Sequence, residues 1–345
     1  MLEKKVNKGI SIFLKILFIL ILILVILFGS TFFYINVKLN KIQKVELPSN
    51  EELGITASIA QNLTGYKNIA IFGVDSRTDD YGVGNRSDCI IIVSINNDTG
   101  EIKLISVYRD TYVNIDGYGL DKITHAYSYG EASLAIKTLN KNLDLNINDF
   151  ITVNFDSVAN AVDKLGGIQL SITSDEIKYI NNYIDETSKV TGKASTHILE
   201  PGTYTVDGVQ AVSYSRIRYT NGGDYKRTER MRTVIEAMFN KLKFKNINEI
   251  NAFADTILPE VYSNISLTDI LTFVPNLSKY KITQSIGWPY VTKGKTMDRW
   301  YGIPITLESN VIQLHKEAFG NINYVPSDTV KSISNSIINK TGYSN

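Results

Sequence analysis

The sequence predicts an α/β or layered α/β/α domain carried behind one N-terminal apolar helix. Three observations predict it. Residues 16–37 contain no charged side chain; from residue 68 onward short apolar runs alternate with helix-like stretches; and no repeat, low-complexity tract or composition break divides that second region. Alternating strands and helices bury a sheet between helical layers. Without the apolar stretch roughly 300 residues remain, enough for one large core, and the unbroken pattern favours a single domain.

The elements follow in order. Residues 1–15 read as a short cytoplasmic tail and 16–37 as a transmembrane anchor, because at about 1.5 Å per residue the run crosses a hydrocarbon core of roughly 30 Å. A cleaved signal peptide has a shorter apolar region and a small-residue cleavage site, whereas Gly29-Ser30-Thr31 runs on into Phe32-Phe33-Tyr34. Lys4, Lys5, Lys8 and Lys15 precede the core and Lys38, Lys41 and Lys44 follow it, so the lysine bias is slight. The short tail and single span favour a signal-anchor topology with the domain outside. Residues 38–66, polar and mixed, suit an extracytoplasmic stalk.

The domain is expected over 67–326. Residues 68–74 form a buried strand, and the runs 89–95 and 102–107 are strands joined by the hairpin signal Asn96-Asn97-Asp98-Thr99-Gly100. A helix follows over 132–143, a strand over 150–155, and a helix capped by Asp156 that stops at Gly166-Gly167. Further helices are expected near 209–215, 224–243 and 267–277, with residues 327–345 as a C-terminal tail.

Composition excludes several chemistries. The formal net charge is +1, so no bulk field draws the chain to nucleic acid, and an electropositive site must be local. Cys89 is alone and sits in an apolar run as a buried small hydrophobe; His125, His197 and His315 have no metal-ligand spacing. Disulfides and histidine or cysteine zinc sites are out. Catalysis, where the chain has it, is then expected to rest on carboxylates and arginines, with or without a bound cation.

Three polar constellations stand out. Asp75 leaves one strand and Asp88 enters the next, so their carboxylates converge as a magnesium site or serve as turn residues. In Ser106-Val107-Tyr108-Arg109-Asp110-Thr111 a strand delivers an arginine that grips phosphate and an aspartate that orients it, or a structural ion pair. The richest is Tyr214-Ser215-Arg216-Ile217-Arg218 with Gly222-Gly223-Asp224-Tyr225-Lys226-Arg227-Thr228-Glu229-Arg230-Met231-Arg232. On an extended segment Arg216 and Arg218 point the same way. The next helix has an apolar stripe at Met231, Val234, Ile235, Met238 and Leu242, which Arg227 and Arg230 extend inward, while Arg232 falls off it as solvated surface. Inward arginines need partners. Diphosphate is the natural one, with a buried salt-bridge network as the alternative; no Gly-x-x-x-x-Gly-Lys loop marks a nucleotidase.

Five blocks, Gly73-Val74-Asp75-Ser76-Arg77, Arg86-Ser87-Asp88, Ser106 to Thr111, Lys122-Ile123-Thr124-His125-Ala126-Tyr127 and the arginine cluster ending at Arg230, together resemble the LytR-CpsA-Psr family in order and spacing. The resemblance implies a three-layer α/β/α sandwich around a central mixed sheet that admits a polyprenyl tail between sheet and helices. It implies transfer of an anionic or secondary cell-wall glycopolymer, such as wall teichoic acid or capsule polysaccharide, from undecaprenyl pyrophosphate to a muramic acid hydroxyl of peptidoglycan. It implies magnesium, or manganese in its place, on Asp75 and Asp88. Arg86, Arg109, Arg216, Arg218 and Arg227 would hold the pyrophosphate, with Arg77, Lys122 and Arg230 beside them. The catalytic set is then Asp75, Arg109, Asp110 and Arg218, with Asp75 the first choice for proton acceptor and Asp110 the second. Two departures are visible: Tyr108 where the family often has proline, and Met231 where it often has glutamine. Hydrolysis of the same lipid-linked diphosphate, and a non-catalytic polyprenyl-phosphate-binding regulator, are the alternative functions.

Overall fold

The computed structural model describes residues 34, 36–38, 40–76 and 81–344. The expected anchor over 16–37 lies almost wholly outside these residues; among them no helix is long and apolar enough to cross a membrane. Arg77 also lies outside them.

The chain begins at the sheet edge with β1 (Gln43–Lys44), followed by helix α1 (Ala57–Asn62), then β2 (Tyr66–Val74), β3 (Ser87–Asn96) and β4 (Glu101–Val107). The expected hairpin joins β3 to β4, with the Asn96 side chain accepting from the backbone N–H groups of Asp98 and Thr99. A small hairpin, β5 (Tyr112–Ile115) and β6 (Gly119–Lys122), leads into α2 (Ile123–Leu143). Gly130 and Glu131 have non-helical angles inside α2, so the sequence reading found only its second half. Next come β7 (Asp149–Val153) and α3 (Phe155–Lys164). The cap of α3 is Asn154, whose side chain accepts from Ser157 N while Ser157 reaches back, rather than Asp156, which lies in the first turn.

A lateral lobe follows: β8 (Ile168–Ile172), α4 (Ser174–Thr191), β9 (Gly202–Val206) and α5 (Gly208–Arg216). Helix α6 (Gly223–Lys243) runs back across the sheet. Gly222 and Gly223 take φ of +93° and +50° to reverse the chain before it, a left-handed turn that glycine adopts without penalty. The remaining elements are α7 (Ile247–Ile257), β10 (Tyr262–Ser263), α8 (Leu267–Phe273), β11 (Lys281–Trp288), the hairpin β12 (Thr292–Thr296) and β13 (Trp300–Pro304), α9 (Leu307–Phe319) and α10 (Asp328–Thr341).

Seven strands form one mixed sheet in the order β1-β10-β7-β2-β3-β4-β11. Its two faces differ. On one, Ala70, Phe72, Ile90, Ile92 and Ile105 pack against α2, α9 and α10 in the main core. On the other, Ile91 and Leu104 are buried, with Ile69, Ile71 and Val93 and the α6 residues Met231, Ile235 and Phe239 packed against the same cluster. Helices therefore cover both faces, as a three-layer domain requires.

Two boundaries move. Leu53, Ile55, Ile59 and Leu63 of the expected stalk pack into the main core, and so do Val330, Ile333 and Ile337 of the expected C-terminal tail. Both segments look polar because each exposes its other side. In the tail Val330, Ile333 and Ile337 fall at helical spacing, the signature of one buried face.

Candidate functional site

Strand pairing assembles the polar residues. Val74 at the end of β2 pairs with Ser87 at the start of β3, so Asp75, directly past β2, and Asp88, the second residue of β3, lie at the same end of the sheet. Strand β4 lies on the other side of β3 and ends at Val107, delivering Arg109 beside Asp88 with Nη1 2.6 Å from Oδ2. Arg218, just past α5, places Nη2 3.3 Å from the same oxygen. From the first turns of α6, Arg227 Nη2 donates to the Asp88 carbonyl at 2.9 Å and lies 3.1 Å from Asp224 Oδ1, with Arg218 Nε 3.9 Å from that atom. Lys122, at the end of β6, donates to Asp110 Oδ1 at 2.7 Å. Four cations from four chain segments thus surround Asp88, Asp110 and Asp224.

Their hydrogen bonding is incomplete. Among the described residues the buried Nε atoms of Arg109 and Arg227 have no hydrogen-bond partner, Arg109 Nε coming no closer than 3.9 Å to Asp110 Oδ1. Buried donors are normally satisfied, so these two guanidinium groups are poised for acceptors that the described residues do not supply. Asp224 carries a second sign of crowding. Burial pushes its carboxyl up to about 6, with Asp110 and Asp88 adding repulsion against the opposing pull of Arg218 and Arg109. A carboxyl so raised surrenders its negative charge easily, which leaves the arginines short of counter-charge.

The other expected site residues divide. Asp75 is exposed at the sheet edge and Arg86 is exposed just before β3. Arg216 does not join Arg218: helix α5 continues to Arg216, so the segment is not extended, and the two side chains diverge. Arg216 donates to Thr187 and Glu186 at 2.9 and 3.2 Å and lies over the Phe155 and Tyr183 rings. Arg230 points inward as the stripe implied, yet into a closed network. It meets Glu176 at 2.7 Å, the Ile217 carbonyl at 3.0 Å and Thr220 Oγ1 at 2.7 Å. It therefore holds the segment that carries Arg218 and makes no contact with Asp88. Arg232, expected on the solvated surface, is 7% exposed and packed between α6 and the sheet. It is buried because α6 is covered on two sides, by the sheet and by the lateral lobe, and a single apolar stripe marks only one of them.

The sequence reading also overlooked Asp224 and Glu176 as partners. Asp224 sat inside the quoted arginine block, three residues before Arg227, an ion-pair spacing on a helix. Glu176 lies 54 residues from Arg230 and no local signal links them.

The donor set suits a hard divalent cation in part. Asp75 and Asp88 are the one or two carboxylates that magnesium commonly takes, and the arginine contacts to the Asp88 carboxylate all fall on Oδ2. Among the described residues no group of three or more His, Cys, Asp or Glu side chains could hold a metal. An ion here would take its remaining ligands from water and phosphate oxygens.

Beside the charged cluster lies apolar surface. Ile69, Ile71 and Val93 belong to central strands yet stay partly exposed on the α6 side, while Ala70, Phe72 and Ile92 on the opposite face are fully buried. Helix α6 therefore covers its face incompletely. The arrangement can take an anionic head among the arginines and an apolar chain beneath the helix.

Comparisons with known proteins agree with this architecture. The model of the LytR_cpsA_psr family matches residues 29–301. The chain is 30% identical over 302 residues to the polyisoprenyl-teichoic acid–peptidoglycan teichoic acid transferase TagT of Bacillus subtilis, covering 85% of this chain and 91% of the relative. It is 30% identical over 238 residues to the Enterococcus faecalis transferase TagU, covering 67% and 73%. Among solved structures, a Streptococcus agalactiae protein superposes with a TM-score of 0.64 at 23% identity over 79% of this chain and 94% of that one. A LytR-CPS2A-psr family protein, YwtF (TagT), with bound octaprenyl pyrophosphate lipid gives 0.52 at 24% identity, covering 81% and 92%. These superpositions speak for the fold.

Proposed function

Because this chain belongs to the LytR-CpsA-Psr family, we propose that it is a phosphotransferase that moves a cell-wall glycopolymer from a polyprenyl-diphosphate carrier to peptidoglycan. The observation that carries the reading is the cluster of Arg109, Arg218 and Arg227, two of them with a buried Nε that no described residue partners, beside a half-covered apolar face. A diphosphate on a polyprenyl chain is the ligand that fits both parts. Curated relatives are named as teichoic acid transferases to peptidoglycan, and that name supplies the class of donor and acceptor.

In this mechanism Arg109, Arg218 and Arg227 bind the diphosphate oxygens, turning from Asp88 and Asp224 toward them. Phosphoryl transfer asks a protein for position and charge neutralisation more than for covalent chemistry. The acceptor is a muramic acid hydroxyl. Its oxygen bonds to the polymer-side phosphorus, the bond from that phosphorus to the bridging oxygen breaks, and polyprenyl phosphate leaves. Asp75, exposed at the sheet edge, takes the hydroxyl proton; Asp110 is the weaker candidate because Lys122 already donates to it at 2.7 Å. Asp75 and Asp88 would hold magnesium, which supplies further neutralisation of the diphosphate when bound. The carrier is undecaprenyl diphosphate in the outer leaflet. The run 16–37 anchors the protein there with its catalytic domain extracytoplasmic.

A purified assay with a lipid-linked donor and nascent peptidoglycan tests this. The wild type yields glycan-linked polymer in magnesium, and Arg218→Ala lowers the rate about a hundredfold, as loss of one charge-stabilising donor does. Release of free polymer phosphate with no glycan-linked product would replace transferase by hydrolase.

A further inference from the structure

Arg232 is a buried cation that the mechanism above leaves unused and that, unlike Arg230, has no carboxylate partner among the described residues. It lies on α6, 7% exposed, with its Nε donating to Ser285 Oγ of β11 at 2.7 Å. Among the described residues its buried Nη1 has no hydrogen-bond partner, and no carboxylate lies within ion-pair distance. The acid in electrostatic reach, Glu229, is half-exposed and engaged by Lys226 at 2.6 Å. Burial accordingly lowers the Arg232 pKa from its ordinary value. Folding leaves buried charge unpaired only at a cost, and the usual remedy is a counter-ion.

The surroundings say where such a counter-ion sits. Ser106 of β4 pairs with Ile91 of β3 on one side and with Gly287 of β11 on the other. Cys89, two residues before Ile91, shares its face of the sheet, and Ser285 lies opposite Leu104. Cys89, Ser106, Ser285 and Gly287 make a layer of small residues beneath Arg232, and among the described residues the buried Ser106 Oγ also has no partner. The Tyr108 phenol fills the space over Gly287, where a Cβ would stand 2.0 Å from its oxygen. Asp88 and Arg109 lie past the outer end of this layer, while the apolar side chains of Ile91 and Leu104 stand in register with Ser106 and Ser285, and Ile235 follows one turn further along α6. The layer is the junction between the charged mouth and the apolar face.

In a polyprenyl diphosphate the group at that junction is the lipid-side phosphate. We propose that Arg232, oriented by Ser285 and flanked by Tyr108, binds the lipid-side phosphate of the donor and receives the charge that develops there as the polymer departs. The inference rests on the transferase reading above. When the bridging bond breaks, its electron pair stays on the lipid-side phosphate as a new terminal oxygen, while the polymer-side phosphorus bonds to the acceptor oxygen. Arg232 then faces a more highly charged group than in the ground state, the condition for a contribution to rate as well as to binding.

The test uses the full chain in detergent with geranylgeranyl monophosphate as probe, comparing wild type, Arg232→Met and Arg232→Lys. Methionine removes the charge while keeping an unbranched side chain. The expected result has three parts. Probe affinity falls about tenfold or more in Arg232→Met, the scale of one hydrogen bond to a charged group; Arg232→Lys recovers part of it; and ligand-free Arg232→Met unfolds no earlier than wild type, because an unpaired buried charge has been removed. Unchanged probe binding in Arg232→Met, with the wild type binding normally, overturns this inference alone. Weaker binding together with a lowered ligand-free melting temperature and no recovery by lysine makes Arg232 structural and also overturns it. A wild type that binds no prenyl phosphate removes the transferase reading and this inference with it.

Discussion

Replacing Arg230 by methionine separates two roles that its sequence context gives equal standing: a ligand contact, as the family resemblance implies, and a structural tie. In the structure all three donor positions are engaged, by Glu176, by the Ile217 carbonyl and by Thr220, and both Arg230 and Glu176 are buried. Glu176 uses its other oxygen to close the capping box of α4, accepting from Thr173 N at 2.9 Å and Thr173 Oγ1 at 3.0 Å. Arg230→Met would leave a carboxylate oxygen buried without its cation, which costs about 3–5 kcal/mol. A domain of this size loses about 2–4 °C per kcal/mol, so thermal unfolding should come roughly 10 °C earlier. Glu176→Gln in the same chain keeps the cap but removes the stranded charge, and the double mutant should recover most of the loss. Circular dichroism melts of the two single mutants and the double mutant give the coupling. An Arg230→Met protein that melts like wild type but no longer binds a prenyl diphosphate would refute the structural assignment.

Other consequences follow from particular contacts. Asp224 has its carboxyl raised to about 6, above its unfolded range near 4. The fold therefore resists its ionisation: stability falls as pH rises from about 4 to 6, and above that range the charged carboxylate competes for Arg218 and Arg227. Diphosphate affinity measured by calorimetry should strengthen as pH falls through 6 in the wild type, and Asp224→Asn should flatten that dependence and melt later at pH 7.5. Gly208→Ala puts a Cβ 2.1 Å from the Ala159 carbonyl of α3, an overpacking that should cost about 1–3 kcal/mol in a denaturant titration; an unchanged midpoint would mean that α3 and α5 part more easily than their packing indicates. Asp75→Asn should raise the magnesium concentration for half-maximal transfer about tenfold, the effect of losing one charged ligand of a weakly held ion, and an unchanged magnesium titration would remove Asp75 from the metal.

Much of this site was legible because strand ends deliver residues in a fixed way. The runs that became β2, β3 and β4 are continuous and apolar, so the polar residues directly beyond them, Asp75, Asp88, Arg109 and Asp110, had to gather at one sheet edge. The inward burial of Arg227 was legible from helical spacing, whereas its role toward a diphosphate came from the family resemblance. What could not be read was how far each helix runs and what covers it. A helix one residue longer than expected turns Arg216 away from Arg218, and a second covered side of α6 buries Arg232. The Glu176–Arg230 pair joins two helices of different layers, and a single sequence carries no trace of that contact. The segments around Ile59 and Ile333 were read as stalk and tail because half-buried short helices have few apolar residues; only the docked structure shows which of those residues face the core.

The most direct measurement is a crystal structure of the protein with geranylgeranyl diphosphate and magnesium. The account predicts diphosphate oxygens within hydrogen-bond distance of Arg109, Arg218 and Arg227, the lipid-side phosphate against Arg232 Nη1, and the prenyl chain between α6 and Ile69, Ile71 and Val93. Density for the ligand in the cavity between α1 and α2, lined by Asp116, Lys137 and Lys141, with the Asp88 cluster unchanged, would contradict it.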